Sequence, residues 1–172
     1  MDLPARVGAR VRELREADGI SLSELARRSG IGKGTLSELE GGRRNPTLET
    51  LYALTTALGV PLSTALTGLT APATLSGDAV DAVLVERYEA PDAVSDTYRI
   101  RIRAGARQES TAHTAGTTEH LVVLSGTARV GTVREPALIG PGTHASWHAD
   151  TPHLYEAPAE AVEAVLIVRH PR

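Results

Sequence analysis

Residues 20–45 constrain the fold of this 172-residue chain more than any other stretch. Apolar residues recur at helical spacing in two short blocks within this segment, and they are Leu25, Ala26, Ile31, Leu36 and Leu39. Such spacing places the apolar side chains on one face of each helix. Gly30 supplies the backbone freedom that a tight turn needs, and Ser21 followed by Glu24 matches a capping box. The segment therefore predicts two short helices that pack against each other around a turn.

The stretch from about Pro4 to Leu66 resembles the helix-turn-helix domain of the phage-repressor (Xre-type) family. The resemblance implies an all-α head of five helices, of which the second and third form the motif. It also implies that the third helix enters the major groove of double-stranded DNA. A helical hairpin with no role in DNA binding is the alternative. The domain is expected to span residues 1–66.

The resemblance implies that the third helix reads base edges through residues near its N-terminus, which are Lys33, Thr35, Ser37 and Glu38. A lysine can donate to guanine O6 and N7, and a glutamate can accept from cytosine N4. The methyl group of a threonine can contact the thymine methyl group. Plain solvent exposure is the alternative for each of these side chains.

Three polar residues follow the third helix directly, and they are Arg43, Arg44 and Asn45. We expect them to hold phosphates, which supply affinity and register but no sequence information. The net charge of the chain is −3, but residues 1–66 carry nine Arg or Lys and eight Asp or Glu, a balance of +1. We therefore expect moderate affinity per head and binding as a homodimer. The first helix carries Arg6, Arg10, Arg12 and Arg15, and most of these arginines are expected to form an ordinary solvated face.

The sequence pattern changes after residue 66. Residues 67–79 are small and polar without a clear period, which predicts an interdomain linker. Beyond them apolar residues alternate with a period of two, most clearly in Tyr98–Arg103, where three arginines occupy one face. These arginines are interpreted as solvated or dimer-edge charges, with an anion-binding patch as the alternative.

Further short strands follow, separated by Gly and Pro turns. Residues 121–124 and 128–130 around Ser125-Gly126 predict a hairpin, and residues 161–168 predict another alternating strand. This pattern is typical of a small all-β barrel or jelly roll. The predicted fold class is therefore a two-domain chain, with an all-α head followed by an all-β domain over residues 80–172.

The all-β domain resembles the cupin family in the setting of its histidines, since all six lie beyond residue 112. Glu119 and Gly126, with six residues between them, fit the end of the first cupin motif. That motif begins with a pair of histidines, of which His113 matches the first, while Ala115 stands at the position of the second. His153, after Ala149-Asp150-Thr151-Pro152, fits the second motif. The resemblance implies a jelly-roll barrel.

The cupin resemblance also implies a site for one divalent transition metal. His113, Glu119 and His153 would supply two imidazoles and one carboxylate, a set that suits iron and, less selectively, zinc, nickel or manganese. Neighbouring strand residues point to opposite faces, so Glu119 and His120 cannot both bind one ion. The alternative is a barrel that has lost its metal and binds an organic effector. Trp147 and Tyr155 would then wall the pocket, although core packing also explains Trp147.

Head and barrel together predict a sequence-specific transcription regulator whose cupin domain senses a small molecule or a metal. The expected partners are an operator in double-stranded DNA, an effector and a second copy of the chain. The sequence holds no cysteine, which excludes disulfides and thiolate sites, and no apolar run suggests a membrane span or signal peptide, so the cytoplasm is expected. One alternative is a head-plus-cupin iron oxidase resembling hydroxypropylphosphonate epoxidase. Another is a DNA-binding antitoxin whose barrel only dimerises.

Overall fold

The computed structural model of the protein describes residues 3–66 and 74–172, and the chain divides into two compact units at about residue 73. The N-terminal unit contains five helices, as predicted: α1 (Leu3–Ala17), α2 (Leu22–Ser29), α3 (Lys33–Glu40), α4 (Leu48–Ala57) and α5 (Leu62–Leu66). None of the helices in this described part of the chain is long and apolar enough to span a membrane.

Local signals account for the ends of α2 and for the turn that follows it. The hydroxyl of Ser21 accepts a hydrogen bond from the backbone N–H of Glu24 at 3.1 Å. Gly30 ends the helix in the left-handed conformation, with φ of 70°. Only half of the predicted capping box forms, because the Glu24 carboxylate pairs with Arg27 and Arg28. The turn between the two helices is therefore where the sequence predicted it.

The core of the helical unit lies between α1, α2, α3 and α4. Leu25, Leu36 and Leu39 are fully buried, and Ala26 is also buried. The sequence did not reveal the close approach of α1 to α3. A Cβ atom on Gly8 would lie 2.0 Å from the Leu39 carbonyl oxygen, so only glycine fits at this position.

One arginine of α1 differs from the predicted solvated face. The side chain of Arg15 is only 11% exposed and pairs with Glu40 of α3. Arg12 retains the expected surface position, with an exposed ion pair to Glu16. The difference arises because Arg15 lies on the side of α1 that faces α3.

The C-terminal unit is built from antiparallel strands. They are β1 (Thr74–Ser76), β2 (Val80–Glu89), β3 (Ala93–Ile102), β4 (Arg107–Ser110), β5 (Thr118–Ser125), β6 (Ala128–Thr132), β7 (Ala137–Ile139), β8 (His144–His148), β9 (His153–Glu156) and β10 (Val162–Pro171). Six strands form one sheet in the order β1-β2-β3-β10-β5-β8, and four form another in the order β4-β9-β6-β7. Side chains from the two sheets meet in the interior, where Trp147 of β8 contacts Tyr155 of β9.

The alternating strands behave as predicted. Tyr98, Ile100 and Ile102 of β3 are buried, while Arg99 and Arg101 on the opposite face are exposed. The strand predicted over residues 161–168 is β10, which alternates in the same way along its length. Apolar alternation is thus a sufficient signal for the long central strands.

The predicted hairpin around Ser125-Gly126 is wrong. The strand before this turn, β5, pairs with β10 and β8, whereas the strand after it, β6, pairs with β7 and β9. The turn therefore carries the chain from one sheet to the other. Gly126 has φ of 79°, and a Cβ atom there would lie 2.5 Å from the Ala161 carbonyl oxygen. Period-two alternation shows that two strands exist, but it does not show which partners they choose.

The end of the predicted linker also differs in the structure. Within residues 67–79, Thr74–Ser76 form β1, which pairs with β2 and buries the side chain of Leu75. A three-residue strand is too short for its alternation to stand out from a polar segment. Residues 67–73 lie outside the described residues, and a linker there stays a prediction.

Candidate functional site

Helix α3 carries a buried face and an exposed face. Its apolar side chains fix it against the helical core, and its opposite face presents Lys33, Ser37 and Glu38 to solvent. Thr35 is half-buried. All four residues predicted to contact bases therefore lie on one short helix that is held firmly by its other side.

The three residues predicted to hold phosphates are exposed after the end of α3. The backbone N–H of Arg43 donates to the Glu38 carbonyl oxygen at 2.9 Å, which ties this segment to the last turn of the helix. Arg44 lies 3.6 Å from the Glu38 carboxylate, and both side chains are about half exposed. Asn45 is exposed next to them. This basic segment thus extends the polar face of α3.

A buried polar cluster occupies the interior of the C-terminal unit. His113 lies in the loop before β5, Glu119 lies on β5, and His153 begins β9. Their potential ligand atoms all lie within 4.8 Å of one another. The Nε2 atom of His113 is 3.0 Å from Glu119 Oε1, and that of His153 is 3.5 Å from Glu119 Oε2. The fold therefore brings together the three residues that the cupin resemblance implied.

The hydrogen bonding of His153 defines its tautomer. Its Nδ1 atom lies 2.9 Å from the Thr151 carbonyl oxygen, which can only accept, so Nδ1 carries the hydrogen. The Nε2 atom then presents a lone pair toward Glu119. This atom is buried and makes no hydrogen bond among the described residues. A backbone carbonyl that orients an imidazole in this way is a common support for a metal ligand.

The electrostatics of the cluster favour a cation. Burial raises the pKa of Glu119, but the hydrogen bond with His113 and the adjacent His153 together outweigh it, so the pKa of this carboxyl lies below its usual value. Burial lowers the pKa of His153, although Glu119 opposes this shift. A lowered pKa favours the neutral imidazole that a metal ion requires, and the buried Glu119 carboxylate supplies negative charge that a metal ion would neutralise.

The two aromatic residues predicted as pocket walls lie beside this cluster. The rings of Trp147 and Tyr155 are buried and 5.9 Å apart between centroids, and Trp147 lies 6.3 Å from the ring of His153. Tyr155 contributes more than a wall, because its hydroxyl donates a hydrogen bond to Glu119 Oε2. Both oxygens of the carboxylate are therefore engaged by side chains of the cluster.

The remaining histidines are placed differently. His120, His144 and His148 are exposed on the outer face of the larger sheet. His170 of β10 is buried, with Nδ1 3.3 Å from Thr117 Oγ1, and burial lowers its pKa to about 4. Sequence analysis missed this residue, although its position two residues after the inward-facing Val168 on an alternating strand was a usable signal. Ala115, at the second histidine position of the motif, is exposed.

Comparisons with known proteins found relatives of the helical unit and relatives that align with nearly the whole chain. Residues 11–64 match the HTH_3 family, described as helix-turn-helix. The chain is 29% identical over 166 residues to the HTH-type transcriptional regulator SutR of Escherichia coli (strain K12), which covers 94% of this chain and 93% of that protein. It is 48% identical over 60 residues to the uncharacterized HTH-type transcriptional regulator y4dJ of Sinorhizobium fredii, covering 35% of this chain and 78% of that protein. It is also similar to a crystal structure of an HTH_3 family transcriptional regulator from Vibrio cholerae, with a TM-score of 0.88, 25% identity, and coverage of 98% and 97%.

Proposed function

This chain belongs to the helix-turn-helix family of transcriptional regulators, and on that premise we propose that it binds an operator through α3 and senses a ligand in its C-terminal domain. The observation that carries the sensing role is the buried group of His113, Glu119 and His153. A transcriptional regulator needs no such group for DNA binding. Because this group lies in a separate unit of the chain, it is suited to binding a ligand that acts as a signal.

The DNA-binding half of the proposal follows from the exposed face of α3. Lys33 and Glu38 offer a donor and an acceptor for base edges, while Thr35 offers a methyl group. Arg43, Arg44 and Asn45 supply phosphate contacts just beyond the helix. A head with so small a positive balance needs two copies on one operator, so the functional species is a homodimer on a near-palindromic site.

For the sensing role, we infer that the C-terminal unit is a jelly roll of the cupin family. Its buried cluster fits a transition metal, because His153 Nε2 carries a lone pair that accepts no hydrogen bond and Glu119 is a buried carboxylate. His113 and His153 would hold the ion through imidazole nitrogen and Glu119 through oxygen. A bound metal would supply a positive charge and open coordination positions for a small molecule. Trp147 lies beside the cluster, with its ring centroid 6.3 Å from that of His153.

Regulation would arise from a shift between two populations of the protein. A ligand that binds one conformation more tightly than another favours that conformation, and the DNA affinity changes with it. A coupling free energy of about 1–3 kcal/mol between the two sites corresponds to roughly a 5- to 150-fold change in operator affinity. Such a change is enough to regulate transcription.

Fluorescence anisotropy on DNA selected from a random library by the purified protein tests this proposal. The chain is purified without chelator, its metal content is measured by plasma mass spectrometry, and affinity is compared before and after metal removal. We expect about one metal per chain and an affinity for the selected DNA that differs at least fivefold between the two forms. The His113→Ala variant should lose both the metal and this difference, whereas His144→Ala, an exposed histidine of β8, should keep both.

The alternatives give different outcomes in the same experiment. Selected DNA that binds equally well with and without metal, and with every candidate ligand, would indicate a barrel that only dimerises, as in an antitoxin. Failure to select any DNA would overturn the DNA-binding role. Oxygen consumption that depends on iron and is abolished in Glu119→Ala would instead indicate an oxidase.

A further inference from the structure

We propose that Tyr155 is a fourth metal ligand, so that the cluster binds ferric iron through two imidazoles, a carboxylate and a phenolate. This inference rests on the proposed metal site and adds a residue that the cupin motifs do not include. It also narrows the metal to one with affinity for anionic oxygen donors.

The position of Tyr155 on β9 places its hydroxyl inside the cluster. It lies two residues after His153, so both side chains project from the same face of the strand, and both are buried. Their ring centroids are 5.8 Å apart. The Tyr155 hydroxyl is hydrogen-bonded to Glu119 Oε2, the same oxygen that lies 3.5 Å from His153 Nε2. The phenol oxygen therefore lies against Glu119 Oε2, the same carboxylate oxygen that His153 Nε2 faces.

The cluster lacks one of the metal ligands that the cupin motif supplies, so a further ligand would have to come from another part of the domain. The second histidine of the cupin motif is replaced by Ala115, which is exposed and lies outside the cluster. Among the other described histidines, His120, His144 and His148 are exposed, and His170 faces Thr117. Tyr155 is the oxygen donor that reaches the cluster from β9.

The chemistry requires only the exchange of a proton for a metal ion. In the metal-free chain, the phenol hydrogen lies between Tyr155 and Glu119. When ferric iron binds, an iron–oxygen bond forms, the phenol O–H bond breaks, and the proton leaves to bulk water. Iron remains ferric, so no electron is transferred. Two anionic oxygens attract a trivalent ion more strongly than a divalent one, and a tyrosine oxygen is an established ligand for iron in proteins.

Titration of the metal-free chain with ferric nitrilotriacetate tests this assignment. A phenolate bound to ferric iron gives a visible charge-transfer band and resonance-enhanced tyrosine ring vibrations, which imidazole and carboxylate ligands do not give. We expect both signals to saturate at one iron per chain. In Tyr155→Phe, the band should disappear and the iron affinity should fall more than about tenfold.

Tyr98→Phe is the matched control, since Tyr98 is buried in the same domain and its hydroxyl lies 3.5 Å from Asp96 rather than against Glu119. This variant should retain the band. If Tyr155→Phe fails to fold, the wild-type spectrum still tests the proposal, because a chain that binds iron without the band cannot have Tyr155 as a ligand. One iron per chain without the band would overturn the role of Tyr155 and leave the proposed metal site standing. Absence of any bound metal would overturn both.

Discussion

The guanidinium of Arg15 on α1 donates two parallel hydrogen bonds to the carboxylate of Glu40 on α3. The Nε–Oε1 distance is 2.7 Å and the Nη2–Oε2 distance is 2.8 Å, and Glu40 is only 7% exposed. The remaining terminal nitrogen, Nη1, donates to the Ile20 carbonyl oxygen at 3.1 Å. One side chain thus joins α1, the segment before α2 and the end of α3. Only arginine has the planar fork that permits this.

We expect Glu40→Gln to destabilise the helical unit by about 3 kcal/mol, because it removes the buried partner of the Arg15 charge and leaves only the exposed Glu16 carboxylate, 3.5 Å away. Urea unfolding followed by helical circular dichroism measures this loss. Glu13→Gln is the control, since Glu13 forms an exposed pair with Arg10, and such pairs contribute about 0–1 kcal/mol. Equal effects of the two substitutions would show that the buried pair adds no more stability than the exposed pair.

Gly8→Ala should also destabilise the helical unit, because the new Cβ atom would lie 2.0 Å from the Leu39 carbonyl oxygen and force α1 away from α3. Gly34→Ala provides the opposite case. Gly34 lies within α3 with open space around it, and alanine is favoured over glycine inside a helix by about 1 kcal/mol. Thermal melts should therefore shift in opposite directions. A stabilised Gly8→Ala variant would contradict the close helix crossing.

His170 should make stability depend on pH between about 6.5 and 4. Burial, with a smaller contribution from His113, lowers its pKa from 6.5 to about 4. Between these pH values, the imidazole binds a proton in the unfolded chain but not in the folded chain. The contribution of His170 to the free energy of unfolding is therefore complete above pH 6.5 and is lost as the pH falls toward 4. The loss is on the order of 3 kcal/mol. In His170→Gln, the free energy of unfolding should fall less over this range, and identical slopes would refute the effect.

Arg43→Ala and Arg44→Ala together should weaken binding to every DNA sequence alike. Phosphate contacts carry no sequence information, and each one lost reduces the dependence of log affinity on log salt by about one unit. Anisotropy titrations at several salt concentrations measure this slope. Arg101→Ala, an exposed arginine of the β-sheet unit, should leave the slope unchanged. A loss confined to one DNA sequence would mean that these arginines read bases instead.

Several features of this protein follow from the sequence alone. The helices of the head are predicted because helical period, the Ser21 cap and Gly30 are local properties of the chain. The alternation of β3 and β10 is local for the same reason. His113, Glu119 and His153 were predicted from their resemblance to the two cupin motifs, which is a pattern along the sequence.

Only the tertiary structure decided which segments become neighbours. The turn at Gly126 looks like a hairpin in sequence, yet its two strands join different sheets, because pairing depends on hydrogen bonds between residues distant in the chain. In the sequence, Arg15 does not differ from the other three arginines of α1, but in the structure Glu40 of α3 lies against it. Tyr155 was predicted only as a pocket wall, but the packing of β9 on β5 brings its hydroxyl to Glu119. Interactions between residues close in sequence specify the helices and strands, whereas the contacts of polar side chains depend on which helices and strands pack together.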